Sequence, residues 1–178
     1  ARFYGSQLQA DASVAERGYP DLPPWTFLDT AGCGFDEQRE PEGESTFNPD
    51  EAAFVAQRLA ELRASHPEAS IGVIAPYRAQ VQALEAATEP DVRTDISTVD
   101  SFQGQERDII VLSLTRSNPD GIIGFLSEHR RTNVAMSRAR RHLLIVGDSS
   151  TVASDPFFSW LVEQVEAAGA YRSAWEFL

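Results

Sequence analysis

The residues able to do chemistry are concentrated in one stretch, Thr98 to Arg140, which holds the segments TVDSFQGQERDIIVLSLTR and RRTNVAMSRAR. The first brings together hydroxyls (Thr98, Ser101), carboxylates (Asp100, Glu106) and Gly104, where the missing Cβ lets a ligand approach the backbone closely. The second is rich in arginine, which stays charged and forks onto the oxygens of a phosphate or carboxylate. Groups of these types suit a polyanion: a nucleoside triphosphate or a strand backbone. Each segment adjoins an apolar run, Ile109 to Leu114 in the first case and Leu143 to Gly147 in the second. Both polar motifs are therefore expected at the ends of core strands, where an α/β sheet presents its ligand site.

What the chain lacks excludes several chemistries. All 15 basic residues are arginine, so no lysine exists to complete a phosphate loop of the G-x-x-x-x-G-K-[ST] type. The same absence removes Schiff-base enzymes, Ser-Lys hydrolases and lysine-dependent nucleases. Cys33 is the only cysteine, which rules out an internal disulfide, and His66, His129 and His142 lack metal-ligand spacing, so no metal site is expected. A net charge of -12 argues against coating nucleic acid through bulk electrostatics. Residues 107–141, however, hold seven arginines against Asp108, Asp120 and Glu128, a local balance of +4 on a remainder of -16. That distribution fits a specific anion contact.

The elements that must position these groups follow from periodicity. Trp25 to Asp29 reads as a strand after the Pro-rich connection Tyr19 to Pro24. Residues 32–47, with Asp36, Glu37, Glu40, Glu42 and Glu44 against Arg39, read as an exposed acidic loop. Asn48, Pro49 and Glu51 predict a helix start, with Glu51 reaching back to the cap, and the helix runs to about Ser65 with Val55, Leu59 and Leu62 inward. Strands are predicted over Ile71–Ala75, Ile96–Val99, Ile109–Leu114 and Leu143–Val146, and helices over about Arg78–Ala87, Arg131–Arg140 and Pro156–Ala168. Alternation at these distances predicts an α/β fold with a mainly parallel sheet flanked by helices. At 178 residues and 42% hydrophobic content, one domain spanning 1–178 is the expectation. No apolar run nears the roughly 18 residues of a membrane span, and the expected location is cytoplasmic.

The two segments resemble motifs V and VI of the superfamily-one helicases, in the branch containing the nonsense-mediated-decay helicase and its DNA-replication relatives. FYGSQL, FLDTAGCG, NPDEA and IGVIAPYRAQ resemble the same branch, in the expected order, the last at the motif IV position. The resemblance implies a three-layer RecA-like domain, the second of two motor domains, with the first motor domain and its phosphate loop outside this chain. It also implies that Arg138 is the arginine finger and that Glu106 bonds the nucleotide ribose, with Gly104 and Gln103 shaping the loop. Arg131 lies seven residues before Arg138, two turns along an expected helix, and is assigned to the nucleotide with it. Thr98, Asp100 and Ser101 are implied to grip a single strand of DNA or RNA, bordered by Pro76 and Tyr77. ATP and Mg2+ are the implied cofactors, with Mg2+ held by the N-terminal RecA-like domain of the same protein. The isolated chain is not expected to be a complete catalyst. The alternative is a non-hydrolysing nucleic-acid-binding or regulatory module on the same fold.

Overall fold

The computed structural model describes residues 18–178 apart from 42, 44 and 103. The FYGSQL segment, Gln103 and two acids of the 32–47 stretch lie outside the described residues. Six strands form one sheet: β1 (Trp25–Asp29), β4 (Ile71–Ala75), β5 (Thr94–Thr98), β6 (Arg107–Ser113), β7 (Ala139–Gly147) and β8 (Tyr171–Ser173). Their order is β5-β4-β6-β7-β1-β8 and every pairing is parallel. This is the three-layer, RecA-like α/β architecture expected from the sequence.

The inner strands are buried on both faces, which is why they read as unbroken apolar runs. Successive side chains alternate between two cores. Ile71, Val73, Ile109, Val111, Leu144 and Val146 face one core, while Ile74, Ile110, Leu112, Leu143 and Ile145 face the other. Helices α1 (Pro49–Ser65) and α2 (Arg78–Ala87) cover the first face through Val55, Leu59 and Leu84. On the second face lie α3 (His129–Met136), the single turn α4 (Ser149–Val152) and α5 (Pro156–Ala167), packed through Ala135, Val152, Phe158 and Leu161. Buried Asp29 ties the carboxyl ends of the strands together, accepting from Ser149 N and Oγ at 2.8 Å each, from Ala31 N at 3.0 Å and from the Tyr171 hydroxyl.

Four expectations need correction. The helix predicted over Arg131–Arg140 starts earlier and stops at Met136, and β7 begins at Ala139, four residues before the predicted Leu143. Residues 32–47 are not a simple solvated loop: β2 (Gln38–Arg39) pairs antiparallel with β3 (Thr46–Phe47), and Glu37 is largely buried against Arg116. Asn48 does cap α1, accepting from Glu51 N at 2.9 Å, but the Glu51 side chain does not reach back. It is fully buried and accepts from Ser113 Oγ at 2.6 Å and Thr115 N at 2.9 Å, while Asn48 N donates to Gln80 Oε1 at 2.7 Å. Tyr77, expected to border the strand channel, is 4% exposed and supports that channel only from beneath.

Candidate nucleotide and nucleic-acid sites

The predicted site residues fall into two groups at opposite ends of the strands. Glu106 and Arg138 meet at the amino ends of β6 and β7. Arg107 is in register with Ala139, and Arg107 N donates to Arg138 O at 3.1 Å, so the residues before each are neighbours across adjacent strands. They do not lie at the carboxyl ends, where the general rule for parallel sheets first points. Glu106 pairs with Arg140 at 3.1 Å, both about half exposed, so a ligand at this carboxylate has only a weak surface ion pair to displace. Gly104 has φ +81, a backbone that disfavours any side chain, and a Cβ there would meet nothing within 4 Å. Conformation, more than close packing, accounts for that glycine.

Arg138 sits just past the end of α3. Its Nε donates to Val134 O at 3.1 Å and its Nη2 to Ser137 Oγ at 3.3 Å. A cation is favoured beside these helix-end carbonyls. Among the described residues no carboxylate lies within salt-bridge distance of it, so its fork is held in place yet electrostatically uncompensated.

Pro76, Thr98 and Asp100 line a cavity at the carboxyl ends of β4 and β5, closed by Val99, Leu112, Phe125, Leu126, Thr132 and Arg131. Thr98 and Ser101 hydroxyls bond at 3.1 Å, and Phe102 N donates to Thr98 O at 3.0 Å, which makes the strand-to-loop turn tight. Arg131 belongs with this group: Nη2 lies 3.2 Å from Asp100 Oδ2, and Nε lies 3.3 Å from Glu128 Oε2. The shared helical face proposed for Arg131 and Arg138 fails because Arg138 is already past the helix. One helix therefore connects the two sites, with Arg131 in its first turn and Arg138 two residues past its last residue, Met136. Arg130 and Arg131 occupy the first turn of α3, where the helix dipole disfavours cations, so stability alone does not explain them.

A third set was not foreseen. Arg116, 4% exposed, forks onto Glu37 at 2.7 and 2.9 Å and donates to the Tyr77 hydroxyl at 3.0 Å. Burial opposes ionisation of Glu37, but hydrogen bonds from Arg116, Asn118 and Ser117 overcome it and hold the carboxyl below its usual range. Tyr77 stacks on Phe125 with ring centres 5.2 Å apart. The sequence offered no local signal for this node, because its members come from four separated segments. Among the described residues, no three His, Cys, Asp or Glu side chains converge as a metal site, and no helix is long and apolar enough to cross a membrane.

A parallel three-layer sheet with motif V and motif VI residues adjacent at one end of the strands, and motif IV residues at the other, defines a RecA-like domain of the superfamily-one helicase type. The chain belongs to the AAA-domain family, which matches residues 1–150, and it is a C-terminal helicase domain of that class. It is 39% identical over 188 residues to the DNA-binding protein SMUBP-2 of Rattus norvegicus, covering 99% of this chain and 19% of that protein. It is 43% identical over 170 residues to the DNA polymerase alpha-associated DNA helicase A of Saccharomyces cerevisiae, covering 82% of this chain and 24% of that protein. Helicase sen1 of Schizosaccharomyces pombe is 35% identical over 178 residues, covering 91% of this chain and 10% of that protein. The chain thus spans a quarter or less of the length of these relatives. The crystal structure of the C-terminal domain of a possible DNA helicase from Lactobacillus plantarum superposes with a TM-score of 0.54 at 14% identity, over 94% of this chain and 99% of that one, a likeness of fold alone.

Proposed function

We propose that this chain is the second motor domain of an ATP-dependent helicase, closing on ATP and Mg2+ held by a first RecA-like domain of the same protein. Arg138 is the finger that meets the transferring phosphoryl, and Glu106, with Gly104 shaping its loop, contacts the ribose. Thr98, Asp100, Ser101, Pro76 and Arg131 hold the backbone of single-stranded DNA or RNA; Tyr77 supports that edge from beneath. The observation that supports this reading best is the α3 segment, with Arg131 in its first turn at the strand-facing end and Arg138 just past its last turn at the nucleotide-facing end, tied to it by the Nε bond to Val134 O. A helix held to both arginines in this way moves them together when the domain rotates.

The residues present fit a contribution in trans. Without lysine there is no phosphate loop here, whereas the Arg138 guanidinium, with no carboxylate partner among the described residues, is available for a phosphate delivered by another domain. Mg2+, when bound with ATP, neutralises charge on the phosphates; this chain supplies the arginine that stabilises further charge in the transition state. The rival reading, a non-hydrolysing binding module, has no observation in its favour.

The test is steady-state kinetics of the complete protein carrying Arg138→Ala. The kcat for ATP is expected to fall at least roughly a hundredfold with little change in KM, because the contact forms chiefly on closure. Arg138→Lys rescues poorly, since an ammonium lacks the fork. Glu106→Ala raises KM with a smaller loss of kcat. A rate unchanged by Arg138→Ala refutes the assignment.

A further inference from the structure

We infer that Phe125 is a preformed stacking platform for one base of the bound single strand. This rests on the helicase reading above and extends it to a residue that neither the motifs nor the comparisons single out.

A single exposed hydrophobic residue is ordinarily unremarkable. Among the described residues the large exposed ones are Val92, Ile122, Phe125, Trp175 and Leu178, and of these only Phe125 lines the cavity of Pro76, Thr98, Asp100 and Arg131. The residue is 53% exposed and yet its ring is held from below. Tyr77 stacks beneath it at 5.2 Å with the planes 28° apart. Phe125 N donates to the Tyr77 hydroxyl at 3.1 Å, and that hydroxyl is fixed in turn by Arg116. The next residue, Leu126, is anchored in the core.

The residue before it completes the mount. Gly124 has φ +53, and a Cβ at this position would run into Arg116 Nη1 and the Tyr77 hydroxyl. Burying an arginine, a glutamate and a tyrosine to hold an exposed phenylalanine is hard to account for by stability of the fold. It removes the freedom of the ring before any ligand arrives, which is the condition for cheap binding. A nucleobase presents a π face to such a ring whatever its sequence, while Thr98, Ser101 and Arg131 alongside take the phosphates. The stack then runs Tyr77, Phe125, base.

The experiment uses the full-length protein with Phe125→Leu and Phe125→Trp, and single-stranded oligonucleotides carrying 2-aminopurine or an abasic site at successive positions. In the wild type one 2-aminopurine position is quenched on binding. Phe125→Leu is expected to lose that quench and to bind about 5- to 150-fold more weakly, the range for one base on one aromatic ring, with an unchanged melting temperature; Phe125→Trp retains both. The contact is non-ionic, so the slope of log affinity against log salt stays at the wild-type value, whereas Arg131→Ala makes it shallower. An abasic site at the quenched position weakens the wild type and leaves Phe125→Leu unaffected. If Phe125→Leu keeps full affinity and quench while Arg131→Ala weakens binding, the platform is refuted and the strand-grip reading survives. If Arg131→Ala also leaves binding unchanged, the strand does not run through this edge and both fail.

Discussion

Glu51 gives the sharpest quantitative test of the internal chemistry. It is fully buried, its Oε1 takes both hydrogen bonds from Ser113 and Thr115, and its Oε2 has no partner among the described residues. Burial pushes the carboxyl up from 4.5 to about 7; the two hydrogen bonds oppose this only in part, and the Asp148 charge adds to the rise. The folded state therefore holds the Glu51 proton more tightly than the unfolded chain does. Its contribution to stability is greatest below pH 4.5 and is lost progressively as pH rises to about 7, after which the penalty is constant. The full interval is worth about 3 kcal/mol, most of it between pH 5 and pH 8. Glu51→Gln keeps the shape and the Oε1 acceptor but cannot ionise. A protonated Glu51 places one hydroxyl donor and a glutamine two amide donors at the Oε2 position, an offset between the two proteins that does not vary with pH. Urea unfolding of both proteins from pH 5 to pH 8 should show the variant gaining about 2–3 kcal/mol on the wild type across that interval. Parallel stability curves for the two proteins would refute the reasoning, because they would mean that Glu51 takes up no proton on folding in this range.

Two further predictions concern the node under Phe125. Gly124→Ala pays for a left-handed alanine and for displacing Arg116 from Tyr77, and should cost about 2–4 kcal/mol in urea unfolding; a loss below about 0.5 kcal/mol would show that the node is soft. Glu37→Ala leaves the Arg116 guanidinium buried without its carboxylate, expected to cost about 3–5 kcal/mol, with thermal melting as the check and rescue by Glu37→Ala/Arg116→Met as the control for the unpaired charge.

Legibility in the sequence followed sequence distance. The inner strands were visible because a parallel strand covered on both faces must be apolar throughout, and Asn48-Pro49 marked the start of α1 because capping is local. Strand β8 and the β2-β3 pair were invisible, since two or three residues carry no periodicity. Ser137-Arg138 contains neither glycine nor proline, so nothing announced that α3 would end there, and Arg131 was placed at the wrong end of the strands. Glu51 was read as a capping residue because its true partners, Ser113 and Thr115, are brought to it only by the tertiary fold. Tyr77 was read as bordering the strand channel, whereas the ring left open there is Phe125, in a single 3-10 turn (Gly124–Ser127) too short to carry a periodic signal.

The position of β1 in the sheet also bears on how the chain is made. Trp25 pairs with Leu143 and Phe27 pairs with Tyr171, so the first strand of the sheet has no neighbour until well over a hundred further residues have been synthesised. At about 5–20 residues per second this is a wait of roughly 6–25 s. During that time the WTFLD segment has both backbone edges unpaired, and the β4-β5-β6 half of the sheet has to assemble without it. Pairing this distant is slow to form. Nascent chains paused before Leu143 should therefore be the ones recognised by chaperones, and β1 is the segment they would be expected to hold.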